Sequence, residues 1–296
     1  MTATTADMHS VTRERRRRNG LSAASLIGPA TIIVSVGLLI PIVILFRYSL
    51  NQYVPRLLMV EAVTIENYVK FFSDEYYWNV FLTTVRVAFT CTLLCLFLGF
   101  PLAYVLARTQ ARFKNLLIML VVLPLFVGNA VRAAGWMTLF GSKGFLNAVF
   151  IGIGLVEHPI QIMFTETAVI IGIIAVNLPF MVLTLQSVIE GIDRSVEEAA
   201  FSLGASPWAM FRRVLWPLAL PGIIAGTILT FILGMNAYAT PVLLGGPKFT
   251  MMAPLVFGQM QLGNWPFGAA VSFILMVTTL VLTATAGYWM HKGYRR

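Results

Sequence analysis

Charge is scarce in this chain of 296 residues: 11% are Asp, Glu, Lys or Arg, while 58% are hydrophobic. An ordinary soluble domain carries roughly 25% charged residues, so there are too few solvating groups here for a water-facing surface. That shortage argues against a cytosolic enzyme and a disordered regulator. Cysteine is scarcer still. Cys91 and Cys95 sit four apart in an apolar run, on one helical face with near-parallel side chains, which suits small packing residues rather than a disulfide or metal pair. A secreted disulfide scaffold is therefore excluded. His9, His158 and His291 are far apart and have no metal-ligand spacing. Acidic residues number 12 against 21 Lys and Arg, a formal charge of +9, and the placement of the excess decides what it is for.

Long apolar runs take the place of the missing charge. Six stretches, at about 26–46, 80–107, 116–140, 168–189, 219–242 and 269–290, are each long enough to cross roughly 30 Å of hydrocarbon as a helix. The expected architecture is all-α and integral to the membrane: a basic N-terminal segment 1–25, a six-helix domain 26–290 with a long loop at 190–218, and a tail 291–296. The first apolar run is too long for a signal-peptide core and has no small-residue cleavage site, so it stays as a membrane helix. Six crossings put both termini on one side. On that side lie 14 Lys and Arg, among them Arg13, Arg15 to Arg18, Arg108, Arg112, Lys114, Arg194, Arg212 and Arg213; the other side has five. Both termini are therefore expected in the cytoplasm, and the arginine run before the first helix is a topology signal rather than a nucleic-acid patch. Membrane lipid is the surface this chain meets, and no nucleic-acid partner is expected.

Two arginines fall inside the spans. Arg86 is near enough to the outer end of its helix to snorkel. Arg132 sits deeper, beyond Pro124 and Gly128 and beside Asn129 and Trp136. Lipid exposure there costs about 2.5 kcal/mol or more, so it must face the protein interior or a water-filled cavity. It is either a structural ion-pair partner or a gate or path residue. Asn129, Trp136, Asn177, Asn236 and Tyr238 are the other candidates for a translocation path. In the fifth span Gly222, Gly226, Thr230 and Gly234 recur every four residues, a small-residue stripe that admits a close helix, placed by this reading near the pathway or a second subunit.

The loop at 190–218 is the most informative segment. Ser195 with Glu198 three residues later reads as a capping box for a short helix over Val196 to Leu203. Gly204 suits the left-handed position that ends it, Ser206 and Pro207 suit a second N-cap and first helical position, and Trp208 to Leu215 form a second short helix. Pro217 and Pro221 then govern re-entry into the membrane. Such a knob either lies on the lipid surface, which Trp208, Phe211, Arg212 and Arg213 would suit, or docks on a partner.

The series Glu198-Ala199-Ala200, Gly204 and Val214-Leu215-Trp216-Pro217 resembles the EAA loop of ABC-importer permeases, E-A-A-x3-G-x9-I-x-L-P, with valine for isoleucine and tryptophan for leucine. Arg132 to Trp136, Asn177 to Phe180, Leu220-Pro-Gly222 and Thr240 to Gly246 are similar to the permeases grouped with the PotB and PotH polyamine-type subunits. The resemblance implies a type I importer (MetI-like) fold. It also implies a separate ATP-binding cassette subunit, present as a homodimer and docked on the loop, a second related permease completing a heterodimer, and a periplasmic or extracellular solute-binding protein. Glu198, Ala199, Ala200, Gly204, Ser206, Pro207 and Pro217 take the coupling role by that resemblance. No G-x-x-x-x-G-K-[ST] loop is present, so ATP and magnesium belong on the partner and no cofactor is expected on this chain, which is not read as an enzyme. The implied solute is small and amino-containing. Asp74, Glu75, Glu157 and Glu166 near the outer mouth suit a cation, but no acidic residue lies in the six spans, which keeps an opine or aminophosphonate open. A secondary transporter or channel working without an ATPase is the alternative.

Overall fold

The computed structural model describes residues 28–109 and 111–294. They form twelve helices, with one isolated antiparallel bridge between Gln52 and Val60. The helices are α1 (Gly28–Ser49), α2 (Glu66–Ser73), α3 (Glu75–Arg108), α4 (Ala111–Phe126), α5 (Asn129–Phe140), α6 (Phe145–Gly152), α7 (Glu166–Glu190), α8 (Arg194–Ser202), α9 (Pro207–Met235), α10 (Ala239–Leu244), α11 (Met252–Gln261) and α12 (Trp265–Tyr294). By length and apolar composition, α1, α3, α7, α9 and α12 can each cross a membrane. The N-terminal basic segment and Arg295 and Arg296 lie outside the described residues.

The ends of the long helices are set locally. Asp74 caps α3 by accepting from the Tyr76 amide at 2.9 Å, Glu75 occupies its first turn and Arg108 its last, each charge complementing the helix dipole. Thr165 caps α7 through the Ala168 amide at 3.3 Å. At 34 residues α3 is about 51 Å long, well beyond the hydrocarbon thickness, so its ends project from the bilayer.

The core is a bundle of α3, α7 and α9, with Cys95, Phe100, Leu106, Met181, Leu185, Ile189 and Leu215 buried within it. Small residues make this close approach possible. A Cβ on Gly99 would sit 3.0 Å from Met181 Cγ, and one on Gly226 would sit 2.7 Å from Met181 Sδ, so the two glycines form the slot that Met181 fills. Both cysteines are free and buried in this packing. By contrast, α1 has no buried residue along its apolar window. It is held at its C-terminal end, where Asn67 donates to the Ser49 and Asn51 carbonyls at 2.9 and 2.8 Å.

Two spans differ from their sequence outline. The run expected as one helix over 116–140 is broken at Val127 and Gly128 into α4 and α5. Pro124 has no N–H to continue the ladder, and Gly128 is extended (φ −60°, ψ 151°). The run expected to end near 242 stops at Met235, and α10 follows after a short turn; Asn236 turns back to donate to the Ile232 carbonyl at 2.9 Å.

Candidate functional site

The segment that leads from α7 into α9 does form a knob, by partly different chemistry from the pattern expected. The capping box between Ser195 and Glu198 is absent. Asp193 is the N-cap and accepts from the Ser195 amide at 2.9 Å, which puts Ser195 inside the first turn of α8. The turn closing α7 leaves Asp193 as the last extended residue, so its carboxylate meets the free amides first. That hydrogen bond holds the Asp193 carboxyl below its ordinary pKa. The far end of α8 closes on Gly204, whose φ is +81°. The Gly204 amide donates to the Phe201 carbonyl at 2.9 Å and the Ala205 amide to the Ala200 carbonyl at 3.0 Å, the paired bonds of a Schellman motif. Ser206 caps the next helix through the Ala209 amide at 3.2 Å, with Pro207 at its first position.

That second helix does not stop at Leu215. It continues through a π turn at Phe211–Leu215 into the membrane as the single helix α9. Pro217 and Pro221 follow the wide turn directly. A proline breaks the regular ladder at the carbonyl four residues earlier, and a π turn re-registers the bonds without ending the helix. The knob is thereby continuous with a core helix.

The knob has two faces. Outward lie Glu198, Ala199, Ser206, Pro207 and Pro217, with Leu203 89% and Trp208 68% exposed. Inward, Ala200 packs half-buried against the core, and Met210 and Leu215 are buried. Also inward is Glu197, a residue that the motif does not single out. It accepts from Arg108 through both Nε, at 2.9 Å, and Nη2, and from the Tyr104 hydroxyl at 2.9 Å. Arg108 Nη1 also donates to the Ile192 carbonyl at 3.1 Å. Nearby, Lys114 pairs with Glu190, which also accepts from Gln186 at 3.0 Å. Asp193 was readable as a local cap. Glu197 and Arg108 are 89 residues apart and carry no local signal of their pairing.

The proposed path residues do not converge. Arg132 donates from Nη2 to the Pro124 and Val127 carbonyls at 2.9 and 2.7 Å, satisfying groups released by the break between α4 and α5. These bonds are compatible with a structural role and leave the gate or path role open. With Trp136, Arg132 also lines a cavity of about 680 Å³ between α3, α4 and α7 whose walls are otherwise Leu, Val, Ala and Pro. The Trp136 indole N–H is buried without a hydrogen-bond partner, and the ring stacks on Phe140 at 4.8 Å. The Asn129 side chain lies outside the described residues. Asn177 is buried between α7 and α9 and donates to the Thr230 carbonyl at 3.3 Å. Asn236 lines a separate groove between α9, α11 and α12, and Tyr238 packs on Phe257. Arg86 pairs with Glu166 at 2.6 Å.

The stripe on α9 packs within the chain. A Cβ on Gly222 would lie 2.9 Å from Val188 Cβ, and one on Gly234 would lie 3.2 Å from the Ala88 backbone. With Gly226 against Met181 and Thr230 fully buried, α7 and α3 fill the face that was expected to approach the pathway or a second subunit.

Residues 95–294 match the family model described as "Binding-protein-dependent transport system inner membrane component". The chain is 38% identical over 224 residues to the spermidine/putrescine transport system permease protein PotB of Haemophilus influenzae, covering 74% of this chain and 77% of that protein. It is 37% identical over 227 residues to PotB of Escherichia coli K12, covering 76% and 82%. Among solved structures, a chain of a bacterial alginate ABC transporter, in complex with an alginate-bound periplasmic protein, superposes with a TM-score of 0.74 at 19% identity, covering 92% of this chain and 94% of that one.

Proposed function

The chain belongs to the binding-protein-dependent transport system inner membrane components and is a multi-pass permease subunit of a bacterial ABC importer; from that premise we propose that it carries a polyamine-like solute and is driven through the α8–α9 knob. In this reading a pair of ATP-binding cassette subunits, carrying ATP and magnesium, seats on the outward face of the knob. A second, related permease completes the pathway, a solute-binding protein delivers the solute to the opposite side of the membrane, and both termini are cytoplasmic.

The observation that carries the coupling role is the two-faced knob. Leu203 and Trp208 are large apolar side chains left exposed on the knob, while Gly204 and the caps at Asp193 and Ser206 hold their backbone in one shape. A rigid apolar surface of this kind is suited to burial in a partner. Because α9 runs unbroken from the knob into the core, movement of the docked subunits tilts α9 as a lever. Nucleotide then favours one permease conformation only to the extent that the docked face binds better in it.

The solute reading rests on the two spermidine/putrescine permease relatives. The carboxylates that a polyamine path requires come from the second permease, since Glu166 is paired with Arg86. Affinity purification in mild detergent tests the coupling role. The wild-type chain is expected to retain an ATP-binding subunit and a second permease, and Glu198→Arg to lose at least about tenfold of the ATPase, equivalent to about 1.4 kcal/mol. Retention of the full amount by the variant removes Glu198 from the docking face. ATP-dependent spermidine uptake by the reconstituted complex, against an opine and an aminophosphonate, tests the solute.

A further inference from the structure

Two adjacent glutamates of the knob point in opposite directions, and the inward one has no role in the motif. Glu197 is the one buried residue of α8, at 7% exposure; the helix has no fully buried apolar anchor. Its carboxylate is held by Arg108 and Tyr104, one turn apart on the last two turns of α3. Arg108 gathers the segment from both sides, donating to the Ile192 carbonyl ahead of α8 and accepting on its own carbonyl from Arg194. The guanidinium and carboxylate side chains are 14% and 9% exposed. A planar fork on a carboxylate fixes direction as well as distance, and in a site closed to water neither partner is easily released.

We propose that Glu197, Arg108 and Tyr104 form the tie that passes movement of the ATPase-docked knob to α3, making Glu197 a positioning residue for coupling while Glu198 faces the partner. This rests on the importer reading above. The lever through α9 moves one core helix, and the Glu197 tie makes α3 move with it. Without the tie, α8 keeps no buried side chain to hold it to the end of α3. From Arg108 the motion has a packed route outward: Gly99 of α3 lies against Met181 of α7, and Ala88 of α3 lies against Gly234 of α9. The outer end of α3 carries Tyr76 and Trp78, both exposed, so its movement is measurable from outside.

The test uses the full complex with its ATPase subunits in nanodiscs, in a Tyr76→Cys background. It compares labelling of that cysteine by a membrane-impermeant maleimide with and without ATP, a readout that requires no solute. Glu197→Gln and Arg108→Lys are each expected to keep the ATPase bound and ATP hydrolysis within about twofold, and to lose the several-fold ATP-dependent change in labelling. The exchange Glu197→Arg with Arg108→Glu is expected to restore at least about half of that change. Variants that keep the ATP-dependent change overturn the proposal. Loss of labelling change in step with loss of bound ATPase also overturns it, because Glu197 would then serve docking or folding. A wild-type chain that retains no ATPase refutes the importer coupling itself, which separates the two failures.

Discussion

Two proline-bearing stretches of the membrane region resolve their prolines in opposite ways. On α9, Pro217 and Pro221 follow a π turn, and the helix runs on without interruption from Pro207 to Met235. On the third crossing, Pro124 precedes a complete break, and the chain restarts at Asn129. The surroundings account for the difference. α9 is packed along its length against α7 and α3, with Gly222, Gly226 and Gly234 in close approach, so surrounding helices hold it straight. α4 borders a cavity of about 680 Å³ and lacks that support, so the backbone opens and Arg132 supplies the missing donors. A proline therefore does not decide between bending and breaking; the packing of the helix that contains it does.

Removing the donor should have the largest effect. Arg132→Leu takes its donor from the Val127 carbonyl and leaves the Pro124 carbonyl only the long bond from the Val127 amide, at 3.4 Å, in a region poor in water. At about 1–3 kcal/mol for an unsatisfied group, with part of a second, the expected loss is up to about 4 kcal/mol, seen as unfolding at lower denaturant in detergent. Unchanged stability would mean that water already reaches those carbonyls. Next comes Gly226→Leu, which overfills the Met181 slot and should cost about 1–3 kcal/mol in the same measurement. It would weaken the continuous helix where the comparison says its support lies.

Pro217→Ala sharpens the contrast without a stability penalty. Restoring the N–H lets the π turn relax to α geometry and rotates Pro207 to Met210 by about 100° relative to the core. Stability should hold or rise while ATP-dependent transport falls about tenfold; equal transport would show that the orientation set by the π turn is not used. The smallest effect belongs to Asp193. Its carboxyl is held below the ordinary pKa by the Ser195 amide, so the cap is in place above the unfolded value and is lost as pH falls through the lowered folded value. The Ser195 amide proton shift should titrate in that acidic window in the wild-type protein and stay flat in Asp193→Asn, which keeps an acceptor but no titrating charge.

Much of the knob was readable because its determinants are local. Gly204, Ser206 and Pro207 act within a few residues of where they stand, and each occupies the place its chemistry suits. Ser195 and Glu198 matched a local pattern too, yet Asp193 took the cap, since two good N-caps two residues apart cannot both be last before the helix. The stripe on α9 was visible as a stripe; which helices fill it was not, because periodicity names a face and not its neighbour.

Six apolar runs, the scarcity of acids within them and the spacing from Glu198 to Pro217 were enough to determine an all-helical membrane chain of the importer family. Those are properties of hydropathy and short-range geometry, written residue by residue. Only the tertiary structure decided that α9 continues while the third crossing breaks, that Arg132 serves carbonyls, and that Glu197 turns inward to Arg108. Each of these depends on which helices come together and at what rotation, and that is settled by packing over the whole chain.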